Sequence, residues 1–203
     1  MDPVHSAPAQ TCPVCGKFVS MLRWIPPYRI SLSSANPKKW GDFVWGPGFK
    51  LLVSARFKAI YEAEGLQGIE EFSPPVEILR IGKHNAANFP QPLPVYHKVF
   101  IPWGGADRDD RASGYVRHYP GKECYYCRVG KGHWEQQRTV IDEQTWNGAD
   151  FLIPRGMHAE ILVSERFFKI ADRSSFTNLG LIPAERYAKD SNLYGFWYLN
   201  DLG

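Results

Sequence analysis

The chain contains four cysteines, and they fall in two C-x-x-C pairs, Cys12-Pro-Val-Cys15 and Cys124-Tyr-Tyr-Cys127. The pairs lie 112 positions apart (124 − 12). A C-x-x-C turn can present two thiolates to one metal ion, and two such turns complete a tetrahedral Cys₄ shell. No thiol is left over. The spacing therefore asks for a fold in which two distant segments meet at one ion. The competing readings are two idle or buried pairs, and a thioredoxin-like redox pair. A redox pair needs only one motif, placed between a strand and a helix. Neither pair here follows a clear strand and opens a clear helix. An all-cysteine shell is closed and leaves no position for water, so the expected ion is one structural zinc and not a catalytic one. His118 and His133 flank the second pair at six residues on either side and are the other candidate ligands.

The sequence around the cysteines repeats. Leu52-Val-Ser-Ala-Arg-Phe57 returns as Leu162-Val-Ser-Glu-Arg-Phe167. Upstream of each lies an Asp-Phe pair, Asp42-Phe43 and Asp150-Phe151, preceded by a tryptophan. The offsets stay nearly constant: 112 from Cys12 to Cys124, 110 from Ser54 to Ser164 and 109 from Pro74 to Pro183. Such a period is far longer than that of a solenoid and indicates one doubled module. In each copy an apolar run ends at a serine and a helix-favouring stretch follows, so Ser54 and Ser164 read as helix N-caps. A nucleophile role for the two serines is the weaker reading, because a duplicated core element explains both. The first helix is predicted from Ala55 to about Glu64, ending at Gly65, and the second from Glu165 to about Arg173. Phe57, Ile60 and Tyr61, and likewise Phe167, Ile170 and Ala171, fall at i, i+3, i+4 and form one buried face each. Arg56 and Arg166 are expected to meet a carboxylate or a carbonyl near their helix starts. The fold class expected is α+β: two duplicated β-rich modules, each with a short helix, joined by a shared Cys₄ zinc-ribbon-like site.

The first module is assigned to residues 1–83 and the second to 121–203, with a Pro- and Gly-rich connection over 84–120; the three can form one compact unit. Within the connection, prolines bound a predicted strand over Val95–Ile101, and Gly104–Gly114 reads as an exposed, mobile loop. Strands are also predicted over Val76–Ile81 and Tyr194–Leu199. Glu70, Glu71 and the charged run Asp107-Arg108-Asp109-Asp110-Arg111 read as solvated charge, or as a binding surface, since charged loops on rigid scaffolds carry specificity. The candidate partner contacts are therefore Asp107, Arg108, Asp109, Asp110 and Arg111, with the segment around 84–92 beside them. His84, His97 and His158 are isolated and read as structural.

Charge limits the partner classes. The formal net charge is +3 over 203 residues, and the basic residues are dispersed. Nucleic-acid binding needs clustered Lys and Arg against phosphate, so it is disfavoured. No apolar run is long enough for a membrane span. The first residues lack a basic region followed by an apolar one, so a secretory signal is not expected. A cytoplasmic location follows, where thiols stay reduced and metal ligation is favoured over disulfides. No G-x-S-x-G, H-E-x-x-H, phosphate-binding loop or dinucleotide fingerprint is found, so no catalytic residue is named.

Paired C-x-x-C motifs far apart, a Trp…Asp-Phe segment, and Leu-Val-Ser-x-Arg-Phe with a downstream proline resemble the double-CXXCG immunity protein family of bacterial polymorphic toxin systems. The resemblance runs from Cys12 to about Tyr187. The first motif matches in full as Cys12-Pro-Val-Cys15-Gly16; the second reads Cys124-Tyr-Tyr-Cys127-Arg128, with arginine in place of the final glycine. The resemblance implies a protein that is not an enzyme. It would bind a cognate toxin domain as a 1:1 monomer in the cytoplasm and block the toxin's active or target-binding surface. The alternative is a zinc-ribbon protein that binds nucleic acid or a transcription partner.

Overall fold

The structure is a computed structural model, and it describes residues 6–20, 22–46, 50–118, 123–128, 134–157 and 160–186. The predicted strand over 194–199 lies outside them. The N-terminal part forms β1 (Ser6–Ala7), β2 (Arg23–Trp24) and β3 (Arg29–Leu32). Next come β4 (Phe43–Trp45) and β5 (Leu51–Ser54), which runs directly into α1 (Ala55–Ala63). Beyond the helix are β6 (Glu71–Pro75), β7 (Glu77–Ile81), β8 (His84–Asn85), β9 (Tyr96–Phe100) and β10 (Trp103–Arg108). The rest comprises β11 (Val116–Arg117), β12 (Trp134–Glu135), β13 (Ile141–Asp142), β14 (Phe151–Arg155), β15 (Leu162–Val163) and α2 (Glu165–Ser174). Among the described residues this is the mixed α+β class, strand-rich with two α-helices. No helix among the described residues is long and apolar enough to cross a membrane.

Both helices begin at the expected serine caps; α1 ends ahead of Gly65 as expected, and α2 runs to Ser174, one residue beyond the expected end. Ser54 and Ser164 have extended backbones, and their hydroxyls accept the N–H groups of Phe57 and Phe167 at 3.1 and 3.0 Å. Each cap is worth about 1 kcal/mol. At the other ends Gly65 and Ser175 take left-handed backbone at φ 61° and 49°. Their N–H groups donate to the carbonyls of Glu62 and Asp172, both at 3.2 Å.

Two four-stranded sheets flank the helices, in the orders β4-β5-β9-β6 and β13-β10-β14-β15. In the first, Phe43 sits opposite Val53; in the second, Phe151 sits opposite Val163. Alternation along β5 sends successive side chains to opposite faces. Val53 enters a core with Phe57, Tyr61, Leu66, Val99, Ile101, Phe151, Phe167 and Ile170. Leu52 enters a second core with Trp24, Ile30, Leu32, Val76, Ile81 and Tyr96, beneath the sheet β3-β7-β8. The first sheet is thus buried on both faces. The first core draws on both sheets and both helices: the Phe57 ring lies 5.9 Å from Phe151 and 6.1 Å from Phe167, edge-on to each.

The connection over 84–120 departs in part from expectation. Its predicted strand is present as β9. However, Gly104–Arg108, expected in an exposed, mobile loop, belongs to β10, which lies between β13 and β14 at the centre of its sheet. β10 is parallel to β14 and antiparallel to β13. Only the turn that follows is loop. Arg108, expected on the surface, is 2% exposed. Its charge is tolerated because Nε donates to Asp110 Oδ1 at 2.7 Å, Nη1 donates to the Gly156 carbonyl, and the guanidinium lies 3.6 Å from the Tyr115 ring centre. A buried guanidinium without such partners would cost several kcal/mol. Glu71, expected as solvated charge or part of a binding surface, accepts Lys98 Nζ at 3.1 Å and Arg23 Nη2 at 3.0 Å; burial acts to raise its carboxyl, but these cations, Lys98 first, hold it below the usual range.

Candidate metal centre

Each cysteine pair sits on a tight turn closed by its own backbone. The Gly16 N–H donates to the Cys12 carbonyl at 2.9 Å, and the Arg128 N–H donates to the Cys124 carbonyl at 2.8 Å. Around the first turn the Cys12 N–H donates to the Lys17 carbonyl at 2.8 Å, and Thr11 bridges Phe18. Both closing residues have left-handed backbone, Gly16 at φ 71° and Arg128 at φ 56°. Glycine adopts this conformation freely; arginine does so at a cost of about 1–2 kcal/mol. The turn therefore explains why the first motif ends in glycine, and it makes Arg128 the residue that needs a reason.

The reason lies in its side chain. Arg128 Nη1 donates to the Arg108 carbonyl, and the guanidinium lies 3.5 Å from Asp110 Oδ1 and 3.9 Å from Asp107 Oδ2. It fastens the second cysteine turn to the end of β10. Asp107 is also held by Arg155, whose guanidinium lies 5.0 Å from the ring centre of Tyr126, inside the second C-x-x-C. Trp103, at the start of β10, packs with Cys12, Val19, Cys124, Tyr126 and Cys127. The sequence does not mark Trp103 and Arg155 as neighbours of the cysteines. The one available signal was the arginine standing where the first motif has glycine.

The two turns meet. All four sulfur atoms lie within 4.8 Å of one another. Cys12 Sγ is 3.8 Å from Cys124 Sγ, and Cys15 Sγ is 3.6 Å from Cys127 Sγ. A tetrahedron with metal–sulfur bonds of about 2.3 Å has sulfur–sulfur edges of about 3.8 Å. A disulfide would bring a pair to about 2.05 Å. Two edges match that spacing, and with all four sulfurs inside 4.8 Å of one another the cluster is compatible with a Cys₄ metal site such as a zinc site. Cys12 and Cys127 are buried, Cys124 is half-buried and Cys15 is exposed.

Backbone N–H groups prepare the sulfurs for ligation. The N–H groups of Cys127 and Tyr126 pull the Cys124 thiol down to about 7, against the opposing effect of burial. Burial acts to raise the Cys12 thiol, but the N–H groups of Cys15 and Val14 outweigh it and the net displacement is downward. The Val14 N–H lies 3.4 Å from Cys12 Sγ. A metal binds the thiolate, so a lowered thiol reduces the competition from protons near neutral pH.

The histidines and the charged run lie as follows. His118 Nε2 is 3.3 Å from Glu135 Oε2 and is not among the clustered ligands. His133 and His158 are outside the described residues. The His97 ring is buried, with Nδ1 2.7 Å from the Ser73 carbonyl, and His84 is exposed on β8. Of the run Asp107–Arg111, the first two residues end β10. Asp109 Oδ1 accepts the Ala112 N–H at 2.8 Å, and Asp110 and Arg111 are exposed in the turn.

A second arrangement joins the halves of the chain. Asp42 Oδ1 accepts the Ser54 hydroxyl at 2.6 Å and Arg56 Nε at 3.2 Å; Oδ2 accepts Arg56 Nη2 at 2.7 Å, the Thr177 N–H at 2.9 Å and the Thr177 hydroxyl at 3.0 Å. Asp150 accepts the Ser164 hydroxyl at 2.6 Å, Arg166 Nη1 at 3.2 Å and the Gln67 N–H at 2.9 Å. Each arginine also crosses over. Arg56 donates to the Ser174 and Ser175 carbonyls at the end of α2, and Arg166 donates to the Glu64 and Gly65 carbonyls at the end of α1. A cation at a helix C-terminus satisfies carbonyls that the helix leaves open. Burial works to raise the Asp42 carboxyl, but these donors, Arg56 first, hold it at about 2.

Compared with known proteins, the chain matches no family model and no curated sequence.

Proposed function

We propose that this chain is an immunity protein that binds a cognate antibacterial toxin domain and occludes its active or target-binding surface, on a scaffold clasped by one structural zinc. The zinc would be held by Cys12, Cys15, Cys124 and Cys127. The observation that supports the metal part is the clustering of the four sulfurs within 4.8 Å, with two edges of 3.8 and 3.6 Å close to those of a tetrahedral thiolate shell. Such a shell supplies rigidity and no open coordination position, so function belongs to the surface that the clasp holds in place.

The reciprocal bonding supports reading the halves as copies of one module. Asp42, Ser54, Arg56, Gly65 and Gln67 have counterparts in Asp150, Ser164, Arg166, Ser175 and Thr177. The offsets are 108 (150 − 42) for the aspartates and 110 (164 − 54) for the serines. The Thr177 N–H bonds Asp42 and the Gln67 N–H bonds Asp150, so each copy closes on the other.

The toxin-binding part rests on the resemblance carried by the two C-x-x-C motifs and the repeated Leu-Val-Ser-x-Arg-Phe. It is supported by the surface of the turns. Tyr125 is 82% exposed, Phe18 is 64% exposed and Val14 is 47% exposed, all in or beside the cysteine motifs. Outward aromatic side chains on a fixed backbone suit a protein interface, where tyrosine is a frequent hot spot. Asp109, Asp110 and Arg111 remain candidate rim contacts. Co-expression with the product of the neighbouring open reading frame tests the reading. Rescue of growth and co-purification are expected. If that product is toxic and the chain neither rescues growth nor co-purifies, the reading fails.

A further inference from the structure

We propose that Cys15 is a site of oxidation by hydroperoxides, and that Cys127, on the other cysteine turn, is the thiol that resolves the oxidised form. Three observations lead there. Cys15 is the exposed member of the cluster, while Cys12 and Cys127 are buried and Cys124 is half-buried. The sulfur of Cys15 lies 3.6 Å from that of Cys127, a residue 112 positions away. Cys12 and Cys124, 3.8 Å apart, also lie on different turns, within a cluster whose four sulfurs are all inside 4.8 Å of one another.

The chemistry balances in two steps. The Cys15 thiolate attacks the peroxide, the O–O bond breaks, and an alkoxide or hydroxide leaves; Cys15 becomes a sulfenic acid. The Cys127 thiolate then attacks that sulfur, an S–S bond forms, and hydroxide leaves. Two thiolates have lost two electrons, and the hydroperoxide has gained them. Closing the bond to about 2.05 Å moves the sulfurs together by about 1.6 Å from 3.6 Å.

The consequence follows from which sulfurs are paired. A disulfide inside either C-x-x-C would free the two turns from each other. The Cys15–Cys127 bond joins the segments that the ion joins. Oxidation therefore removes two of the four thiolates from the ion and releases it, yet leaves the two turns covalently tied. The release rests on the zinc reading given above. The pairing rests on the thiol geometry alone.

The full chain as purified, treated with hydrogen peroxide, tests this. Metal release is followed with a chromogenic chelator, and disulfides are mapped by mass spectrometry after alkylation. The expected result is Cys15–Cys127 as the first disulfide, with one zinc released per chain as it forms. The oxidised, metal-free chain is expected to melt above the reduced, metal-free chain. In Cys15→Ser, compared metal-free, Cys127 is expected to stay alkylatable after the wild type has lost it. A first disulfide of Cys12–Cys15 or Cys124–Cys127 overturns the inference. So does a cluster whose four thiols all outlast a free-thiol control. A chain that carries no zinc but still forms Cys15–Cys127 upholds the inference and sinks the zinc reading. A zinc-bearing chain that forms disulfides within the turns does the reverse.

Discussion

Replacing Asp42 by asparagine removes one charge and leaves the shape of the side chain intact. In the wild type the carboxylate of Asp42, 6% exposed, accepts the Ser54 hydroxyl, the Arg56 guanidinium, and the N–H and hydroxyl of Thr177. Those donors hold it at about 2, against 3.8 for an unperturbed aspartate. The difference corresponds to about 2 kcal/mol of folding stability. The sign follows from the direction of the displacement. A carboxyl lowered by folding stabilises the native state above 3.8, and the contribution fades as pH falls towards about 2. Asp42→Asn should therefore cost about 2 kcal/mol in urea unfolding at pH 7. The gap to wild type should shrink to within about 0.5 kcal/mol at a pH near 2, provided both chains are still folded there. Equal costs at both pH values would refute the reasoning, because the carboxylate charge would then not be the source of the stability. A cost below about 0.5 kcal/mol at pH 7 would refute it as well.

Two further perturbations probe the packing and the second cysteine turn. Phe57 is fully buried where both helices and both sheets meet, so Phe57→Ala should cost about 3–5 kcal/mol in chemical unfolding, and a cost under 1 kcal/mol would show that the ring is not central to the core. Arg128→Gly relieves a left-handed arginine worth about 1–2 kcal/mol but removes half-exposed contacts to Arg108, Asp107 and Asp110. Its net effect on stability should stay within about 1 kcal/mol, with metal content unchanged; loss of metal would show that the side chain positions the sulfurs.

The parts that could be read from the sequence are those governed by local rules. Ser54 and Ser164 are caps because an apolar run ends at a small hydroxyl residue ahead of a helix, and both hydroxyls accept the expected N–H. The cysteine cluster was legible because thiol spacing and count are a ligand inventory. β10 was hidden. Gly104-Gly-Ala-Asp-Arg108 has the composition of a loop, and only its neighbours make it a strand: β13 and β14 take its backbone, while Asp110, Gly156 and Tyr115 take the Arg108 charge. Tertiary pairing overrides local preference there. Arg56 and Arg166 were expected to pair near their own helix starts. They do, through Asp42 and Asp150, but each also caps the far end of the other helix, which no local rule encodes. The repeated Asp-Phe was visible, whereas the role of its carboxylate as the acceptor for that cross-over required the fold.

Metal content of the purified chain bears most directly on the clasp. Elemental analysis should find one zinc per chain, lost in Cys12→Ser and equally in Cys124→Ser, because each removes a ligand from the same shell. Two zinc ions per chain would separate the cysteine pairs into independent sites, and a chain that binds none would leave the cluster as four thiols without an ion; either result contradicts a single ion joining the two turns.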